Sequence, residues 1–176
     1  TATGSPTAGG FTNGIGASIN DLLSNSSSTS NATVTYTITP TADGCNGDTF
    51  TMTVTVYPSP LLTANAAAGT ICSGQNAVIN LSSSVAGTRY TWTTATVSGV
   101  TGNTSNSTPN ATTNITQLLN NNNNVASTVN YTITPVLSNG CSGNPVNVAI
   151  IVDPKPTEAN AGPNENICNS TSYTCL

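Results

Sequence analysis

The chain reads as an all-β protein, and two observations carry that reading. Its apolar residues alternate with threonines over several short runs, and its helix formers are almost absent. Thr, Asn and Ser supply roughly two residues in five of the 176. Thr, Val, Ile and Tyr favour the pleated, half-buried surface of a strand. Glu, Lys, Arg and Met, which favour helix, are rare, and Ala is scattered without a helical period. A polar chain of this kind could instead be disordered. Disorder goes with high net charge and few β-branched residues, and this sequence has the opposite balance.

The strands follow from alternation. Residues 33–39 put Val34, Tyr36 and Ile38 on one face and threonines on the other, a strand with one face in a core. Pro40 is expected to end it, because proline cannot donate to a ladder. Residues 51–57 repeat the pattern with Met52, Val54 and Val56 inward, and the two runs form a hairpin through the segment from Asp43 to Asp48. Residues 77–81, 89–93, 129–134 and 146–152 read as further strands. Tyr90 and Trp92 share one face, and Trp92, the single tryptophan, is expected as the large aromatic centre of a core. The asparagine tract 120–124 reads as a polar loop between strands.

Composition excludes whole classes of function. Only 5% of residues are charged, against about a quarter in an ordinary soluble domain. There is no histidine, one arginine (Arg89) and one lysine (Lys155). The commonest general base and metal ligand is therefore missing. Two isolated cations at a net charge of -4 cannot displace the counterions of a nucleic acid. No apolar run approaches the ~20 residues of a membrane helix, so direct membrane insertion is not expected. The serines lack a base to activate them, and the carboxylates are scattered rather than paired. Asp43 and Asp48 have calcium-like spacing, but the matching positions of an internal repeat are Asn139 and Asn144, which removes both charges. An asparagine- and aspartate-rich turn is the better reading. Neither enzyme activity, nor a metal, nor a cofactor is expected.

That internal repeat is the most informative feature. Val34-Thr35-Tyr36-Thr37-Ile38-Thr39-Pro40 recurs as Val129-Asn130-Tyr131-Thr132-Ile133-Thr134-Pro135. Gly44-Cys45-Asn46-Gly47 recurs as Gly140-Cys141-Ser142-Gly143, and Thr70-Ile71-Cys72-Ser73 as Asn166-Ile167-Cys168-Asn169. Ile19-Asn20-Asp21-Leu22-Leu23 matches Ile115-Thr116-Gln117-Leu118-Leu119. The offset is about 96 residues, one fewer at the Tyr36/Tyr131 strand, and a period of that size is one whole small β-domain. The register makes 1–58 the second part of one unit, 59–154 a complete unit and 155–176 the opening of a third. Pro58-Ser59-Pro60 and Pro154-Lys155-Pro156 fall at the junctions, where paired prolines stiffen the connection. Together with the start at Thr1, this reads as a processed or excised window of a longer array.

The order Ile-Cys-Ser-Gly, Tyr-Thr-Trp, Ile-x-x-Leu-Leu-x-Asn, Val-x-Tyr-Thr-Ile-Thr-Pro, Gly-Cys-x-Gly and Val-x-Pro-x-Pro resembles the PKD-like domains of Bacteroidota cell-surface proteins, gliding-motility adhesins among them. The resemblance implies tandem immunoglobulin-like antiparallel sandwiches in an exported protein at the bacterial cell surface. Tyr36, Tyr131 and Trp92 are then the core aromatics, and neighbouring repeats are each unit's partners. Within the complete unit a Cys72–Cys141 disulfide is expected, closing a loop that the chain-entropy model values at about 4 kcal/mol. Cys45 and Cys168 would pair outside the segment, with Cys168–Cys175 as the alternative. The function so implied is a non-catalytic stalk or adhesin segment, with surface glycans or other copies of the fibre as possible partners. Two rivals stand beside it: a carbohydrate-binding module, which should display a flat strip of exposed aromatics, and a self-assembling filament subunit.

Overall fold

A computed structural model describes residues 1–156. Cys168, Cys175 and all of the third unit beyond Pro156 lie outside the described residues.

Among the described residues every regular element is a strand. The first set comprises β1 (Ala2–Gly4), β2 (Ala8–Gly9), β3 (Ser24–Asn25), β4 (Ala32–Ile38), β5 (Thr41–Ala42), β6 (Cys45–Asn46) and β7 (Phe50–Val56). The second comprises β8 (Leu62–Ala66), β9 (Thr70–Cys72), β10 (Gln75–Ser83), β11 (Arg89–Thr94) and β12 (Val100–Thr101). It continues with β13 (Asn106–Asn110), β14 (Asn114–Asn121), β15 (Ser127–Val136) and β16 (Val146–Asp153).

The second set is a two-layer sandwich. One sheet has the order β12-β14-β10-β8, and the other β13-β11-β15-β16-β9. The inward faces obey the period of two: Val129, Tyr131 and Ile133 on β15, and Val148, Ile150 and Val152 on β16, are all buried. Ile79, Leu119 and Ile115 close the core from the opposite sheet. The largest side chain at its centre is Tyr131, with no exposed surface. Trp92 is only half-buried at the core's margin, where its Nε1 donates to the Thr104 carbonyl at 2.9 Å. The expected aromatic centre is thus Tyr131 rather than Trp92: Tyr131 is fully buried with its hydroxyl on Gln117, whereas the Trp92 indole reaches the Thr104 carbonyl from the margin.

The first set has one three-stranded sheet, β1-β4-β7, and the hairpin expected from alternation pairs Ala32–Ile38 with Phe50–Val56. Its core is small: Ala2, Val34 and Tyr36, flanked by Ala8, Phe11, Leu23 and Val54.

Two departures from the sequence reading have physical causes. Pro40 lies beyond the end of β4, but its repeat Pro135 sits within β15, which runs on to Val136 because Arg89 and Tyr90 pair with it there. The asparagine tract is not all loop. β14 runs through Asn121, whose side chain is buried and hydrogen-bonded.

Candidate functional site

The same polar brace is built twice. Asn121 on β14 donates through Nδ2 to the carbonyls of Val152 (2.7 Å) and Val125 (2.9 Å), and its Oδ1 accepts the Asn123 amide (3.0 Å). Asn25 repeats each bond, with Nδ2 to Val56 (2.9 Å) and Ser30 (2.8 Å), and Oδ1 from Ser27 (2.9 Å). One asparagine per unit thus ties the end of one sheet to the last strand of the other. An amide can do this because it offers two donors and an acceptor from one plane.

A second brace centres on Tyr36 and Tyr131, which occupy the same position of the repeat. Tyr131 OH donates to Gln117 Oε1 at 2.9 Å, and Gln117 also accepts the Thr104 amide and donates to the Thr104 carbonyl and hydroxyl. In the first unit Tyr36 OH donates to Asp21 Oδ2 at 2.8 Å, and Asp21 accepts from the Thr12 amide and hydroxyl. These bonds, the Thr12 hydroxyl first, hold the Asp21 carboxyl below its ordinary value; burial, then the Asp21 bond, pushes the Tyr36 phenol up. Burial alone pushes Tyr131 up to about 12. Gly102, at φ 95°, lets the chain pass against the Leu118 carbonyl beside this brace, where a Cβ would collide.

The sequence reading did not identify the braces. The signal was in hand: Ile-x-x-Leu-Leu-x-Asn contains the Asp21/Gln117 position and ends on Asn25/Asn121. Its polar members do not announce a brace by themselves, because their partners Val56, Val152 and Thr104 lie elsewhere along the chain.

The junction is tightly built. Pro58 and Pro60 are buried, and the Pro60 carbonyl lies so close under Gly143 that any side chain there would strike it. Ser84 Oγ accepts the Leu61 amide (3.0 Å) and donates to the Ser28 carbonyl (2.5 Å), so one hydroxyl touches both units. Pro154 is half-buried and Pro156 exposed. Lys155 lines a cleft of 520 Å³ with Ser73 and asparagines 120–124.

The cysteines correct an expectation. Cys45, Cys72 and Cys141 are exposed, and among the described residues no disulfide joins them, so no Cys72–Cys141 bond is present. Cys72 pairs with Asp153, next to the level where Val152 meets Ser127. Cys141 precedes Ser142, which bridges to Val136 at the other end of β15. Nine residues along that strand separate the two levels, about 30 Å at ~3.3 Å per residue. A disulfide spans at most about 7 Å between Cα atoms. The cause is β9, which crosses to the second sheet and runs parallel to β16, carrying Cys72 to the pole opposite Cys141.

The large exposed aromatics both lie in the first unit. Tyr36, Tyr90 and Tyr131 are buried, whereas Phe50 and Tyr57 are exposed. No group of three or more metal-ligating side chains occurs among the described residues.

Two facing sheets with inward-alternating strands and a polar brace across their edge define an immunoglobulin-like sandwich. The family model for the PKD-like domain matches residues 1–60 and 69–156, so the chain belongs to the PKD-like domain family. Such domains are typically extracellular modules of structural or adhesive type and are generally non-catalytic. No curated protein and no solved structure matches the chain. No helix among the described residues is long and apolar enough to cross a membrane.

Proposed function

We propose that the chain is a load-bearing segment of a tandem array on a bacterial surface, with units 1–58, 59–154 and 155–176 joined at Pro58-Ser59-Pro60 and Pro154-Lys155-Pro156. The observation that carries this reading is the built junction. Two buried prolines, the Gly143–Pro60 contact and the Ser84 hydroxyl between units make the connection a short strut rather than a free linker. The partners of each unit are its neighbours in the chain, and the array acts by projecting or spacing whatever binds at its surface or tip. A Thr/Asn/Ser surface suits this role, since it hydrates by hydrogen bonding and changes little with salt.

Small-angle scattering of the dilute chain tests it. The expected distance distribution is that of an extended particle, one sandwich wide and two units long. Ser84→Ala with Gly143→Ala should broaden that distribution as the strut loosens. A distribution with freely reorienting units in the unaltered chain would refute the strut.

A further inference from the structure

One sheet face of the first unit is built from a single residue type. On β4 the inward side chains Val34 and Tyr36 are buried, so Thr33, Thr35 and Thr37 point the other way. β7 does the same with Thr51, Thr53 and Thr55. The register sets like against like: Thr33 meets Thr55, Thr35 meets Thr53, and Thr37 meets Thr51. β1 extends the middle row, because Thr3 meets Thr35. Thr35 and Thr37 are half-buried among their neighbours, and the others are exposed. The same positions of the complete unit are exposed as well, so this side looks away from the second layer, and closing a core leaves it open. There, however, the rows are mixed. Thr128 meets Ile151, Asn130 meets Ala149, and Thr132 meets Asn147 and donates to its side chain at 2.8 Å.

Such a face is a two-dimensional grid. Neighbouring strands lie about 4.8 Å apart, and alternate residues along a strand lie about 6.8 Å apart. Water oxygens on a prism face of ice repeat on similar lengths. A threonine hydroxyl donates once and accepts through two lone pairs, so it can stand in a water's place, while the methyl beside it fills the gap between waters. The β-branched side chain has few rotamers, so little freedom is lost when the face is ordered. The Thr35 and Thr53 hydroxyls are 3.3 Å apart and bond to each other, which steadies the middle of the grid. No charge interrupts it: residues 1–58 hold neither Lys nor Arg, and Asp21, Asp43 and Asp48 lie outside these three strands. A charged side chain would keep its own hydration shell and break the water pattern. We propose that the threonine face of β1, β4 and β7 binds ice, with the rows Thr33–Thr55, Thr35–Thr53 and Thr37–Thr51 as its contact plane. Ice fits this face better than a glycan or a second copy would. It offers no aromatic ring to stack, no charge to pair and no protruding side chain to enter a partner. The inference uses neither the stiff junction nor the array, so each can fail alone.

Partition into slowly grown ice, with thermal hysteresis measured on single crystals, tests it on the 176-residue chain. The chain should enter the ice instead of being excluded with the solutes, and it should open a gap between melting and freezing points. Thr35→Lys and Thr53→Lys, each in the middle row, should abolish both effects. Hydrogen exchange of β4 and β7 should stay unchanged in these variants, which reports that the sheet is folded. Where lysine disturbs the sheet, Thr35→Ser with Thr53→Ser keeps the hydroxyls, removes the methyls and should still lower the hysteresis. Asn130→Lys, at the place of Thr35 in the complete unit, should change neither effect. Exclusion of the unaltered chain from ice, with no hysteresis, overturns the proposal. Hysteresis that survives both the lysine and the serine variants overturns it too, since another surface then binds. An equal loss in Asn130→Lys also overturns it, because the mixed face of the complete unit would then serve as well.

Discussion

The two units hold nearly the same strand sequences in different company. Val129, Tyr131 and Ile133 are fully buried in the complete unit; their repeats Val34, Tyr36 and Ile38 are 0%, 4% and 38% exposed. β16 alternates buried and exposed positions along its length, whereas β7 buries none of its residues. Ile115 and Leu119 lie on a strand between β10 and β12, but Ile19 to Leu23 form no strand, because the neighbours that would pair with them are not beside them. Alternation is therefore a capacity of the sequence that only a partner layer turns into burial. The polar braces behave differently, and both units build them. Their partners lie within about 35 residues, so they form without the rest of the sandwich.

The largest test of this contrast is a pair of core truncations. Ile150→Ala should cost about 2–5 kcal/mol, because it leaves a cavity in a closed core. Val54→Ala, at the matching position, should cost about 1 kcal/mol or less, since that site is half-open. Urea denaturation followed by Trp92 fluorescence reads the first, and hydrogen exchange in β4 and β7 reads the second. Equal costs would break the comparison. Next is Gly102→Ala, expected to cost about 2–3 kcal/mol in the same urea assay, from a strained positive φ and the collision with Leu118. Asn121→Ala should cost about 1–3 kcal/mol, because it strands the Val152 carbonyl in a buried site. Asn25→Ala should cost less, since its bonds are only part-buried.

The smallest effects are in pH dependence, and the two units should differ in sign. Asp21 has a lowered pKa, so its contribution is present above the ordinary carboxylate range and is lost as pH falls through the folded value. Protection of the first unit should therefore weaken on acidification, and Asp21→Asn should remove that dependence. Tyr131 has a raised pKa, so its contribution is whole below the ordinary phenol value and is lost as pH rises toward about 12. The complete unit should thus weaken at the alkaline end, and Tyr131→Phe should abolish that loss at a cost of about 1 kcal/mol near neutrality. A pH titration of hydrogen exchange separates the two.

The fold was legible in the sequence because alternation and repetition are local properties. Residues 33–39 and 146–152 reveal their inward faces without any knowledge of neighbours. The strands absent from the sequence reading lack a clean apolar period: β14 alternates, but its buried row of Ile115, Gln117, Leu119 and Asn121 is half polar. β9 is three residues long and β13 contains Pro109, so neither carries a period that can be read. Missing β9 had a specific consequence. Its parallel pairing fixes the pole at which Cys72 lies, and spacing along the chain says nothing about poles. Trp92 was misplaced for a related reason: size marks a residue as apolar enough for a centre, but its N–H bond to Thr104 decides the margin.

The crossing of β9 also determines how a sandwich would answer to being pulled. Tension entering at Leu62 and leaving at Asp153 would run along β16, which is hydrogen-bonded on one side to β15 and on the other to β9. Because the pull lies along the strand, those rows are sheared together instead of being peeled bond by bond, and β9 adds its row at the very end where the load leaves. In the load-bearing role proposed above, β9 would act as a non-covalent lock on the end of β16.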